Sequence, residues 1–504
     1  MSFRVLIRRA GSAATTATTA TSPCWRINSA MPLRAKFLTP QAARAQMSTS
    51  SIRELPKELD TDEPNDVLFN NIYGLRTVEL NRPNKYNALN GSMIRKIFPR
   101  LVEWEKSDMA NVIVMKGAGS KAFCAGGDVK ALADQIKEDP EGASKAAGYF
   151  ALEYQLDHYI ATYQKPYISF MDGFTMGGGV GLSIHAPFRI ATERTVFAMP
   201  ETTIGFFPDV GASFFLPRMA GSVGTYLALT SAQLKGVNVF YSGVATHYLH
   251  STSLPSLESR LAELRFKDYD TMEERLAIIE MTIEEYATGL PPGEPILLSG
   301  ELRKAIDRCF DKNTVADIIA ALQAEKGPTQ AWAEKTLETL HQRSPTSVHV
   351  ALRQMRIGRE WSIAQTFQRE HQIAARFMKH PDFVEGVTAR LGTKEPPKWQ
   401  PASLEEIPEG SNIAEPFFQL SGGPSRLNLV TDRDYSEYCY GQFGVPSEDN
   451  VREVVMSYGL PRHEIRQEFI RRKKGRQGIG AIVDEILSRK TIVNEEGKAE
   501  WVNE

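Results

Sequence analysis

The chain has 504 residues, too many for one ordinary hydrophobic core, so two or more structural units are expected. Its hydrophobic and charged fractions, 42% and 24%, are those of a globular protein, and no apolar run approaches the roughly 18 residues that cross a bilayer, so no membrane partner is expected. The net charge of −2 hides an asymmetry: no Asp or Glu precedes Glu54, and removing the eight basic residues before it leaves about −10, a poor general binder of nucleic acid.

Residues 1–53 carry Arg4, Arg8, Arg9, Arg26, Arg34, Lys36, Arg44 and Arg53 among many Ala, Ser and Thr. Basic, hydroxylated and acid-free is the composition of a mitochondrial transit peptide, so a matrix location is expected. Arg8 and Arg9 interrupt the short apolar stretch from Val5 to Ile7, which argues against a secretory signal. Beyond Cys24 the cysteines are Cys124, Cys309 and Cys439, with no CxxC pair, a usage that fits a reducing compartment.

VLFNNI (67–72) and LRTVELNRP (75–83) read as strands joined by a turn at Tyr73-Gly74. Met93, Ile94, Ile97, Leu101 and Trp104 recur at helical spacing across 90–106. NVIVMKG (111–117) is a β run that ends in a Gly-rich loop. Helical pattern returns over 128–137 and 145–162, and PYISFMDG (166–173) is a strand followed directly by glycines and a helix. This repetition predicts a layered α/β core over 54–255 with its loops gathered at one end. Residues 256–410 hold charged-apolar helical stretches such as LRKAIDRCF, VADIIAALQAEK and SVHVALRQM, then a closing loop from 396. Residues 411–504 form an extension, read as basic for its one cationic run although Lys and Arg do not outnumber Asp and Glu across it, in which FGVPSEDNVREVV (443–455) and YGLPRHEIRQEFI (458–470) echo each other. Pro sits well at a helix start, so each predicts a short capped helix. The run RRKKGR (471–476) follows.

Three segments point to chemistry: FCAGGDV (123–129), MGGGVG (176–181) and MPETTIGFFPDVG (199–211). Each lies where a β run gives way to a loop or helix, and glycine there lets main-chain N–H groups approach a ligand. Two such amides aimed at one point form an oxyanion hole; alone, either cluster reads equally well as a tight turn. Neither has the Gly-Lys-Ser/Thr of a Walker loop or the spacing of a dinucleotide fold. Glu201 and Asp209 stand eight apart among Phe197, Met199, Ile204, Phe206 and Phe207. Acids in such company should hold their protons more tightly than usual, which suits general acid–base work; a capping or solvated acid is the plainer alternative. His247 and His250 lie three apart without a third ligand nearby and read as an ordinary helical pair, so no metal is expected.

Taken together, FCAGGD, MGGGVGLS and FAMPET followed by IGFFPDVG resemble the 3-hydroxyisobutyryl-CoA hydrolase branch of the crotonase (enoyl-CoA hydratase/isomerase) superfamily. NRPNKYNALN (81–90) resembles that superfamily's CoA-contacting turn, and KPYISFMDG the strand before its second oxyanion glycine. SPTS (344–347), VALRQM (350–355) and HPDFVEGVTARL (380–391) resemble the branch's helical region, so the likeness spans about 66–405. It implies a crotonase-like core of repeated ββα units wound as a superhelix, a C-terminal helical region, and a further extension outside the likeness. It also implies that Gly127 and Gly178 donate the oxyanion N–H groups, that Glu201 and Asp209 are the catalytic carboxylates, and that Glu153, in ALEYQ, contacts the substrate; an exposed helix acid is the plainer reading of Glu153. Gly181 falls where hydratases carry their first catalytic glutamate, which points to hydrolysis rather than hydration. The implied reaction is hydrolysis of 3-hydroxyisobutyryl-CoA in valine breakdown, with CoA as part of the substrate and no separate cofactor. General-base and anhydride routes both remain open, as do 3-hydroxyisobutyryl and 3-hydroxypropionyl substrates. Ala212 and Ser213 depart from the branch's glycines after the aspartate loop, which leaves fine substrate preference in doubt.

The extension admits another function. Some mitochondrial relatives of this branch, fungal ones included, resemble proteins built into the small subunit of the mitochondrial ribosome. RRKKGR and the paired FGVPSE/YGLPRH elements would then meet rRNA phosphates or partner proteins. A solvated charged helix is the plainer reading of that run.

Overall fold

The structure, a computed structural model, describes residues 55–408, 410–419 and 426–502. The stretch read as a transit peptide lies outside the described residues. Strands β1 (Val67–Ile72) and β2 (Leu75–Leu80) form an antiparallel hairpin that turns at Tyr73, φ 49°, and Gly74. Parallel strands β3 (Val112–Gly117), β5 (Tyr167–Met171), β7 (Phe188–Ala191) and β10 (His247–Tyr248) extend it to six in the order β1-β2-β3-β5-β7-β10. Apolar residues crowd β3 and β5 instead of alternating because these strands are covered on both faces.

Between those strands the chain makes excursions into a smaller sheet. There β4 (Ala122–Cys124), β6 (Phe174–Met176) and β8 (Val196–Ala198) lie parallel, and β9 (Leu234–Lys235) runs antiparallel beside β8. Each winding gives one strand to each sheet before the next helix or turn, the ββα repetition expected. Because β4, β6 and β8 are parallel neighbours, their carboxyl ends form a row, and the glycine and acid segments all leave the sheet along that one edge.

Helix α1 (Gly91–Lys106) is capped by the Asn90 side chain, which accepts from the Met93 N–H, and it buries the predicted stripe from Met93 to Trp104. Helix α1 fills the crossover from β2 to β3, helices α2 (Val129–Glu138) and α3 (Gly142–Ala161) lie between β4 and β5, and α4 (Gly178–Ile184) between β6 and β7. Short helices α5 (Ala212–Phe215), α6 (Val223–Thr230) and α7 (Val237–Tyr241) lead to β10. His247 is therefore on a strand, and His250 caps a 3-10 turn that begins at Ser251, so the two are not a helical pair. Among the described residues no group of His, Cys, Asp and Glu gathers as a metal site, and no helix is long and apolar enough to cross a membrane.

Next come α8 (Leu254–Ala262), α9 (Met272–Glu284), α10 (Gly300–Phe310), α11 (Val315–Ala324) and α12 (Gln330–His341). After them run α13 (Pro345–Ile357), α14 (Ile363–Phe377) and α15 (Pro381–Thr388). Helix α14 packs along α3, α15 against α2, and α13 against α6. Beyond 410 lie α16 (Glu415–Phe418), α17 (Glu448–Tyr458), α18 (Arg462–Arg472), α19 (Ile479–Lys490) and a hairpin of β11 (Thr491–Val493) and β12 (Ala499–Trp501). Pro446 and Pro461 stand at the starts of α17 and α18, and Ser447 closes a capping box with Asn450. One apolar cluster runs from Leu132 through Phe207 and Phe367 to Val451, Ile465 and Val483.

RRKKGR is neither a free basic patch nor a fully solvated helix. Arg471 and Arg472 both pair with Glu468. The Lys473 Nζ donates to the Gly444 carbonyl at 2.7 Å. Arg476 is buried, pairs with Glu280 and Glu284 of α9, and donates to the Phe443 carbonyl at 2.7 Å. Much of the run's charge is spent holding the extension to the body.

Candidate active site

Gly127, Gly178, Glu153, Glu201 and Asp209, far apart in sequence, line a single cavity of about 720 Å³. The row of strand ends explains the first step of this convergence. After β4 the Leu89 main chain holds the loop from both sides, with Leu89 N–H donating to the Gly126 carbonyl at 2.8 Å and Asp128 N–H to the Leu89 carbonyl at 2.8 Å. These bonds flank the N–H of Gly127. After β6, Gly177 turns at φ 45° and Gly178 opens α4, where an N–H has no intrahelical acceptor. The two amides are neighbours: a Cβ built on Gly178 would lie 3.5 Å from the Gly127 nitrogen and against the Glu153 carboxylate. After β8, Pro200 delivers Glu201 to the first position of a 3-10 turn, and a Cβ on Gly177 would stand 3.2 Å from its Oε1.

The acids are withdrawn from water. Glu153, Glu201 and Asp209 are 1%, 4% and 4% exposed, so Glu153 is no surface acid of its helix. Oε1 of Glu153 and Oε2 of Glu201 have no hydrogen-bond partner among the described residues. Phe206, stacked on Phe150 at 4.9 Å and packed on Phe207, forms part of the apolar wall. Burial, and then the charge of Asp209, push Glu201 and Glu153 well above the usual carboxylate range. Burial pushes Asp209 up to about 7, against the opposing pull of Tyr154, whose hydroxyl donates to Oδ2 at 2.7 Å. Such a set titrates as a group and binds protons more tightly than free carboxyls do, as proton-transfer chemistry requires.

Several residues were missed from sequence. Tyr154 follows Glu153 on α3, and nothing in its sequence neighbourhood distinguishes it from a core aromatic. Glu370 of α14 accepts from the Gly211 N–H at 2.7 Å and the Ser213 N–H at 2.9 Å, just past Asp209. Asp157, one helical turn beyond Glu153, puts Oδ2 2.6 Å from where a Cβ of Gly181 would stand. Lys335, Arg343 and Arg390 also line the cavity. Among the described residues none of the three has an ion pair, and burial followed by Arg390 lowers Arg343 to about 10. Cationic charge with no carboxylate opposite it inside a groove is the signal of an anionic ligand, although Arg343 also donates to the Thr230 carbonyl at 2.7 Å, and it required the groove to be seen.

An interleaved pair of sheets carrying two glycine amides and buried acids along one edge defines the class. The pattern of the enoyl-CoA hydratase/isomerase family matches residues 75–418, and the chain belongs to that family. It is 59% identical over 492 residues, 96% of either chain, to "Small ribosomal subunit protein mS47" of Neurospora crassa. It is 42% identical over 348 residues, 69% of this chain and 87% of the relative, to "3-hydroxyisobutyryl-CoA hydrolase, mitochondrial" of Gallus gallus. Among solved structures, a carnitinyl-CoA dehydratase from Mycobacterium thermoresistibile matches 72% of this chain and 99% of its own with a TM-score of 0.63 and 34% identity. These relatives support the crotonase-type fold and the mitochondrial location expected from sequence. The hydrolase match covers about two thirds of the chain; the ribosomal match is long enough to include most of the extension.

Proposed function

We propose that this chain hydrolyses the thioester of a 3-hydroxyacyl-CoA, converting 3-hydroxyisobutyryl-CoA to 3-hydroxyisobutyrate and free CoA in the matrix as a step of valine breakdown. The observation that carries this reading is the meeting of two glycine amides, three buried acids and three cationic side chains without ion pairs among the described residues in one cavity. The thioester carbonyl oxygen sits between the N–H groups of Gly127 and Gly178, which stabilise the oxyanion formed on attack. Glu201 either takes a proton from the attacking water or attacks the carbonyl carbon itself, giving a mixed anhydride that water opens. In both routes the carbon–sulfur bond breaks and the sulfur leaves with a proton. Asp209, held by Tyr154, orients the water or passes that proton. Glu153 receives the acyl hydroxyl, and Lys335, Arg343 and Arg390 meet the carrier's phosphates. No cofactor beyond the CoA of the substrate, and no metal, enters this scheme. With no acid at Gly181, adding water across a double bond lacks one of its two groups.

Free thiol released from 3-hydroxyisobutyryl-CoA, with crotonyl-CoA as the comparison, tests the reading. Glu201→Gln is expected to lower turnover by about 10²–10⁴-fold, the contribution of a positioned acid–base group. Unchanged turnover in that variant, or hydration of crotonyl-CoA without free CoA, would overturn it.

A second reading is favoured by the nearly end-to-end likeness to the Neurospora protein: a component of the mitochondrial small ribosomal subunit, docked through residues 411–504. The chain then comprises a targeting stretch to 53, a catalytic core to 255, a helical region to 410 and a docking unit. The two functions are compatible because the acids and amides lie in the body and the docking unit beyond it. On gradient sedimentation of a mitochondrial lysate the chain should travel with the small subunit; a chain that stays light counts against docking.

A further inference from the structure

We propose that Glu370 is the positioning residue that aims Asp209 at the reacting centre; the proposal rests on the hydrolase reading above. Asp209 is followed by Val210 at φ 54°, a left-handed conformation that a β-branched residue strongly resists. Such a conformation persists only where its surroundings impose it, and it is typical of sites where a backbone is bent to direct a side chain. Three buried side chains impose it here. His185 Nε2 lies 3.2 Å from the Val210 carbonyl. Gln354 Nε2 donates to the Ser213 hydroxyl at 2.7 Å and also to the Pro208 carbonyl. Glu370 grips hardest, because its two oxygens take separate main-chain N–H groups, Gly211 at 2.7 Å and Ser213 at 2.9 Å.

The pair of bonds from Glu370 does two things at once. It satisfies N–H groups at the start of α5, a cap supplied by a side chain 159 residues away in the chain. It also fixes the loop on the carboxyl side of Asp209 while Tyr154 fixes the carboxyl itself, so Asp209 is held at both ends. Glu370 is not among the residues lining the substrate cavity, so it acts through the loop and not on the substrate. Its two oxygens are met by main-chain dipoles, a fixed partner that does not move with the ligand. A carboxylate suits this role where an amide does not: Gln has one accepting oxygen, and its NH₂ would face the second N–H.

The test uses the full chain with 3-hydroxyisobutyryl-CoA, measuring kcat, KM and the pH profile for wild type, Glu201→Gln, Glu370→Gln and Glu370→Asp. Glu370→Gln should lower kcat by about 10²-fold, the cost of a misplaced group, with KM little changed. The acidic limb of its profile should move to lower pH, because the loosened loop admits water to the Asp209 carboxyl, whose burial is what raises it. Glu370→Asp, which keeps the two carboxyl oxygens but is one methylene short, should fall between Gln and wild type. Wild-type kcat and an unmoved limb in Glu370→Gln, while Glu201→Gln is silenced, overturn the positioning role alone. A wild type that releases no thiol brings down the hydrolase reading and this role together. If neither Glu370 variant folds, Glu370 is a residue of the fold and the proposal is overturned.

Discussion

Gly178 has no room for a methyl group, since one built there would meet the Glu153 carboxylate. Gly178→Ala should therefore displace Glu153, and thiol release should fall by about 10²-fold with the circular dichroism spectrum unchanged. Tyr154 offers a test of opposite sign to the loss of Glu370. Its hydroxyl draws the Asp209 carboxyl downward, so Tyr154→Phe should raise that group above about 7 and move the acidic limb of the rate profile to higher pH. The same burial leaves a mark on stability. Asp209 is raised to about 7 and Glu370 to about 8, each mainly by burial, so the folded chain keeps protons that the unfolded chain has already lost above about pH 4. The folded state then binds more protons, and stability must fall as pH rises: the contribution is full below the unfolded values and gone above the folded ones. Urea midpoints should decline from pH 5 to 8, and Asp209→Asn, which cannot ionise, should flatten part of that decline.

At the scale of elements, strands β1, β2, β3 and β5 and helices α1 to α3 were legible because burial sets their pattern, whereas β7 and β10, the latter of two residues, were not read from sequence. The smaller sheet was not, since strands of two or three residues are too short to carry a period, and α5, at four residues, shares that fate. Charge was legible as composition but not as placement: RRKKGR looks cationic in sequence, yet Arg476 is spent between Glu280 and Glu284. Arg476→Ala strands those acids and the Phe443 carbonyl, so it should cost about 3–5 kcal/mol and expose the extension to proteolysis. Arg471→Ala, on an exposed pair, should cost at most about 1 kcal/mol.

For the whole molecule, residues remote from the acids hold the frame in which they work. Asp434 caps α14 by accepting from the Ser362 hydroxyl at 2.6 Å and the Ala364 N–H at 2.9 Å, while Leu427 exchanges two hydrogen bonds with Gln368. The Arg433 carbonyl lies 3.0 Å from His158 Nε2 at the end of α3. The segment 427–434 thus braces both the helix that carries Glu370 and the helix that carries Glu153 and Tyr154. A chain ending at 410 should melt at a lower temperature and lose kcat more than KM; an unchanged melting temperature would show the brace to be idle.

The sequence by itself determined where chemistry is available. Glycine clusters and acids at the ends of β runs mark the segments 123–129, 176–181 and 199–211, because local backbone geometry demands small residues there and apolar neighbours announce burial; the family resemblance, not the spacing, picks out Gly127 and Gly178 within them. Tertiary structure alone decided which of these meet, that Glu153 faces inward, that Tyr154 and Glu370 hold Asp209, and that RRKKGR turns much of its charge inward. The reason is physical: a hydrogen bond or an ion pair between residues more than a hundred positions apart depends on how helices pack, and a carboxyl's proton affinity depends on who surrounds it. Neither quantity has a period along the chain.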